Sequence, residues 1–117
     1  MKATEKIINS TILSVEGLAV GSTEAIIVTS NGTYKMYHQQ DCLETVSIDD
    51  ILGELKPGSV VLNFIEKTNV DKPKKYNHQD SFTWTFYTIV TNKGYCDIKW
   101  YGTSDGYYSE RVDFDFC

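Results

Sequence analysis

Asn31-Gly32 stands between two runs that read as β-strands, Thr23–Thr29 (TEAIIVT) and Thr33–His38 (TYKMYH). Both residues of an Asn-Gly pair accept the positive φ that a type I′ turn demands, so the arrangement predicts a β-hairpin. A chain committed to a hairpin this early needs further strands to bury its apolar face, because an isolated two-stranded ribbon is barely stable in water.

Those strands are legible downstream. A weaker strand over Thr11–Val15 precedes the hairpin, and Ser59–Lys67 (SVVLNFIEK) is apolar enough for a buried one. In Ser81–Thr91 (SFTWTFYTIVT), Phe82, Trp84, Phe86, Thr88 and Val90 take one face and Thr83, Thr85, Tyr87 and Ile89 the other. A turn at Asn92-Lys93-Gly94 leads into Tyr95–Tyr101, and a turn at Thr103–Gly106 into Tyr107–Phe116. Period-two alternation in three successive aromatic runs predicts an antiparallel meander. Between the halves, Ile48, Ile51, Leu52 and Leu55 have helical spacing behind Ser47, and Pro57-Gly58 ends the run, which predicts one short helix over 47–55. The expected fold is α+β, predominantly antiparallel β, with six or seven strands and one short helix. It forms a single domain over 1–117, with a variable N-terminal segment 1–10 and a polar loop 68–80.

Composition narrows the function classes. The chain has 117 residues, 11 Lys+Arg against 16 Asp+Glu, and a net charge of −5. That balance argues against general nucleic-acid binding, since phosphates repel an acidic surface. The N-terminus lacks the apolar run of a signal peptide, no stretch approaches the ~20 residues of a membrane span, and a cytoplasmic location is expected. Cys42, Cys96 and Cys117 form no close pair, as free thiols in a reducing compartment would, with Cys96 in the core and Cys117 terminal. Gly17, Gly21 and Gly32 are too scattered for a phosphate-cradling loop.

Two clusters carry chemistry. His38-Gln39-Gln40-Asp41-Cys42-Leu43-Glu44 gathers ligand-type side chains within seven residues. With His78 from the polar loop, His38 and Cys42 give an alternative zinc site, for which the partner ligand pairs of a structural zinc centre are missing. The expected reading is therefore no cofactor and no catalytic residue. In the second cluster Tyr101 and Tyr107 flank a turn containing Asp105, with Glu110 just beyond; aromatics and carboxylates at a loop mouth suit a protein partner. Glu110 and Asp113 lie on opposite faces of a strand, a poor pair for glycoside chemistry. Asp41–Glu54 holds five acids and no base, and Asp105–Cys117 four acids and one Arg, which favours steering onto a basic partner.

The segments MYHQQDCLETVSIDDI and SFTWTFYTIVTNKGYCDIKWYGTSDGYYSERVDF, over roughly residues 11–116, resemble a group of small uncharacterised bacteriophage proteins with HxxDCxE, TWTFY, KGY, WYG and GYYSE segments. The resemblance implies a phage source and a shared fold. It names no activity, but a small acidic phage protein without a catalytic signature is expected to bind a protein in the host cell and inhibit or redirect it, a defence system such as CRISPR being one class of target. Tyr101, Asp105, Tyr107 and Glu110 are the expected contacts. A metal- or ligand-binding module on the 38–44 segment is one alternative, and a virion or assembly protein, including a homodimer, the other.

Overall fold

In the computed structural model the described residues are 1–41, 43–69, 81–104 and 109–117. They form a short helix, α1 (Ala3–Lys6), and eight strands: β1 (Ile12–Glu16), β2 (Glu24–Thr29), β3 (Gly32–Tyr37), β4 (Thr45–Gly53), β5 (Val61–Thr68), β6 (Ser81–Thr91), β7 (Gly94–Ser104) and β8 (Asp113–Phe116). The strands build two four-stranded sheets, ordered β1-β2-β3-β8 and β4-β7-β6-β5, with every neighbouring pair antiparallel. The fold is mostly antiparallel β, as the alternation predicts.

The inward faces hold one core. Ala25, Ile27, Tyr34 and Met36 come from the first sheet, and Ile48, Tyr87, Ile89, Ile98 and Trp100 from the second, all within 1% of complete burial. Rings tie the layers together. Phe64 of β5 stacks on Phe114 of β8 at 4.4 Å between centroids, and Phe114 stacks on Tyr34 at 5.6 Å. The buried indole N–H of Trp100 donates to the Met36 sulfur at 3.1 Å, so its donor is satisfied across the layer. Backbone hydrogen bonds also join the sheets at two corners. Ile48 of β4 exchanges bonds with Gly21 and Ser22, and Val61 of β5 exchanges them with Asn9 and Ser10.

The β2–β3 hairpin forms, but not with the expected turn. Thr29 pairs with Gly32, so Ser30-Asn31 is the two-residue loop, and positive φ occurs at Gly32 (134°) rather than at Asn31. The β6–β7 hairpin repeats the device: Thr91 pairs with Gly94 (φ 131°) around Asn92-Lys93. In both, the threonine hydroxyl donates to the glycine carbonyl at 2.9 Å and accepts a loop N–H. A side-chain clamp plus a glycine at the strand entry replaces the type I′ geometry.

Two expectations are corrected. Residues 47–55 are not a helix: Thr45–Gly53 is strand β4, paired along β7. A β-bulge between Ile48 and Asp50 explains the misleading spacing. It inserts one residue, so the inward positions run 46, 48 and 51, and the step of three imitates a helical period. The helix lies instead at Ala3–Lys6, inside the segment set aside as variable, and Ile7 directly after it is fully buried. The C-terminal meander is also shorter than expected. β6 and β7 are hairpin partners, but β8 crosses to the other sheet and pairs with β3, matching Tyr34 with Phe116 and Met36 with Phe114.

Candidate functional site

The crossover between β7 and β8 brings together the two clusters that are far apart in sequence. His38, just past the end of β3, is buried, with its imidazole Nδ1 2.6 Å from the Arg111 carbonyl oxygen. A carbonyl only accepts, so Nδ1 carries a proton and donates. Nε2 lies 2.8 Å from Oε2 of Glu44, a side chain with no solvent exposure. The same Oε2 also accepts the Asp41 N–H at 2.8 Å. The imidazole and the Asp41 N–H thus meet on one carboxyl oxygen of Glu44. Gln40 closes the segment by donating to the Glu44 carbonyl at 2.7 Å.

Glu110, the residue before Arg111, is equally buried. Its Oε1 accepts the Thr83 hydroxyl at 2.7 Å and its Oε2 the Ser104 hydroxyl at 2.6 Å. Thus β6 and β7 grip one end of the crossover through Glu110, and the β3–β4 connection grips the next residue through His38. The crossover passes close to β7 at Gly102. A Cβ there would lie 3.0 Å from the Glu110 Cβ and 3.0 Å from Val46. Two grooves flank the 109–112 segment. One, of about 300 Å³, runs beside His38, Gln40 and Asp41; the other, of about 440 Å³, beside Thr83, Asn69 and Glu66. The exposed Arg111 borders both and holds Asp113 at 2.6 Å. Such grooves offer hydroxyls, amides and carboxylates to a polar partner, above buried groups already committed to hydrogen bonds.

The expected partner contacts divide. Tyr101 is only 8% exposed, its ring on the outer face of β7 packed against Trp84 at 4.3 Å and Phe82 at 6.5 Å. Tyr101 and Glu110 are therefore packed groups and not an open loop-mouth surface, while Asp105 and Tyr107 lie outside the described residues. Of the alternative zinc ligands, Cys42 and His78 also lie outside them. His38 has both ring nitrogens engaged, and no group of three or more His, Cys, Asp or Glu suited to a metal occurs among the described residues. Thr83, Ser104 and the Arg111 carbonyl escape sequence reading, because hydroxyls and a main-chain oxygen carry no positional signal. The thiol of Cys96 is buried in the core and Cys117 is exposed. Burial pushes the Cys96 thiol up to about 11, with the Asp97 carboxylate adding to the shift.

A family of proteins with a domain of unknown function, DUF7448, matches residues 5–114. The chain belongs to this family. The match runs from within α1 to within β8 and takes in both sheets, the β3–β4 connection with His38 and Glu44, and the β7–β8 crossover with Glu110. No curated protein and no solved structure matches the chain. None of the described helices is long and apolar enough to cross a membrane.

Proposed function

We propose that this DUF7448 member is a non-enzymatic, phage-encoded protein that binds a host protein and blocks or redirects it, with defence systems such as CRISPR as the class of target. The observation that carries this reading is the fate of the reactive side chains. His38, Glu44 and Glu110, the described residues best suited to acid–base work, are buried and consumed in pinning two connections together. A general acid or base has to reach a substrate's proton, and these groups are spent on the scaffold. The surface keeps a charge imbalance that suits recognition. Asp41, Asp50 and Glu54 are exposed along the acidic 41–54 stretch, on and beside edge strand β4. Clustered surface charge of one sign speeds encounter with a basic partner and selects among partners.

The test is affinity capture from host lysate with the tagged protein beside an Asp41→Lys/Asp50→Lys/Glu54→Lys variant. One stoichiometric host protein, captured by the wild type and lost with the variant at unchanged melting temperature, is the expected result. Capture of no host protein at all removes the binding reading. Alanine at Tyr101 or Glu110 is unsuitable as the contrast, since both side chains are packed and their loss reports on folding.

A further inference from the structure

We propose that the outer face of the β4-β7-β6-β5 sheet is a dimer interface, packed in solution against the same face of a second copy of this chain. The inner face gives Ile48, Tyr87, Ile89, Ile98 and Trp100 to the core, so the residues alternating with them point outward. An antiparallel sheet with one face in water ordinarily carries polar residues there. This one presents Leu52, Ile65 and Tyr95, exposed by 58%, 37% and 51%, beside the partly exposed rings of Trp84 and Phe86. A contiguous apolar patch on an outer face marks an interaction surface.

The register sets which outward residues lie side by side. Crossing the sheet from β4 to β5, one row reads Asp50, Lys99, Phe86, Lys67, and the next reads Leu52, Asp97, Thr88, Ile65. Tyr101 and Trp84 sit beyond the first row, and Tyr95 and Val90 beyond the second. Two lysines and two aspartates cancel within these rows, although the whole chain carries −5. A face without net charge attracts neither phosphates nor a basic partner, and it does not repel a copy of itself.

An interface between two identical faces has to be complementary to itself. A two-fold axis along the strands, midway between β7 and β6, lays β4 of one copy across β5 of the other and β7 across β6, so each row meets its own reverse. Asp50 then faces the partner's Lys67, Leu52 faces the partner's Ile65, and the Lys99 ammonium faces the partner's Phe86 ring. Asp97, which already accepts the Thr88 hydroxyl at 2.6 Å, faces the partner's Thr88. No like charges are opposed in either row. This axis keeps the strands of the two copies nearly aligned, as twisted sheets pack face to face. Four strands ~4.8 Å apart and about ten residues long at ~3.3 Å each make a face of roughly 630 Å². Two such faces cover roughly 1,300 Å² together, within the range of about 1,200–2,000 Å² that stable, specific interfaces bury. Asp50 is spent at the rim of this dimer, while Asp41 and Glu54, outside these rows, remain for a basic partner.

Sedimentation equilibrium of the purified full chain, from low-micromolar to submillimolar concentration, should give twice the chain mass of 13.3 kDa. Lys67→Asp and Asp50→Lys each set like charges against each other twice across the axis, and each should weaken the dimer at least tenfold. An equimolar mixture of these two variants should recover it, because both contacts in the mixed dimer again join opposite charges. Ile65→Glu, at a position exposed in the single chain, should weaken the dimer at least tenfold at an unchanged melting temperature. Should either charge variant fail to fold, Ile65→Glu tests the same face. A wild-type chain that stays monomeric throughout the range overturns the proposal. So does a dimer that all three variants leave intact, which places the contact elsewhere, such as at a strand edge. Charge variants that dissociate singly and stay apart when mixed overturn the two-fold pairing. Host-protein capture by a monomeric wild type that is lost with Ile65→Glu makes the host protein the occupant of this face instead. A dimer without any captured host protein leaves the interface standing and removes the host-binding reading alone.

Discussion

His38 and Glu44 show how six residues of separation can hold a whole connection. The pair is buried with its hydrogen bonds complete, so removing one partner leaves the other's buried polar atom without its bond. Glu44→Ala is expected to cost about 1–3 kcal/mol in urea denaturation. His38→Ala should cost a similar amount, and the double variant less than the sum, because the second substitution removes a polar group the first has already left unpaired. Cys96 gives a prediction in the alkaline range. Its folded thiol is raised from 9.0 to about 11, and burial raises Tyr34 and Tyr87 as well. A raised acid contributes stability that is complete below its unfolded value and is lost as pH climbs toward the folded one. The unfolding free energy should therefore fall between about pH 9 and pH 11. The same burial makes Cys96 inert: iodoacetamide at pH 8, read by peptide mass spectrometry, should label Cys117 in the folded protein and Cys96 only in denaturant.

At the scale of elements, β4 and the two Thr-x-x-Gly hairpins repay comparison. The hairpins were readable in outline from the strand–turn–strand pattern, and β6 begins and ends where the alternation of Ser81–Thr91 does. The strand β4 was not readable, because its bulge breaks the period of two and supplies the step of three that a helix also supplies. Gly53 ends that strand with φ 87°, and an added Cβ would lie 2.2 Å from the Tyr95 carbonyl oxygen on the paired strand. Gly53→Ala should destabilise by more than the ~1 kcal/mol expected at Gly21, where φ is also positive but a Cβ meets open space. Comparative thermal melts of the two variants check this; equal losses would mean that the β4–β7 pairing yields at no cost.

For the whole molecule, β8 is the piece whose removal reaches furthest. Its four residues cover Tyr34 and Phe64 and bring the chain back to the first sheet. Truncation after Val112 should expose that aromatic cluster, giving strong binding of a hydrophobic dye and loss of the near-ultraviolet signal of packed rings. A truncated chain that melts as sharply as the full one would show that the layers close without β8. The amino-acid sequence determined the class of fold: alternation within each strand and the glycine-bearing turns act over a few residues, and they fixed most strands and both hairpins. Tertiary structure decided the rest. Whether β8 pairs with β7 as a hairpin or with β3 in the other sheet depends on which apolar surfaces lie together once the layers close. That contact is between residues far apart in the chain, and local pattern does not encode it. The same holds for the polar junction. His38 and Glu44 stand out by type, yet their partners are a carbonyl at Arg111 and, for neighbouring Glu110, hydroxyls at Thr83 and Ser104, which only the folded crossover brings within reach.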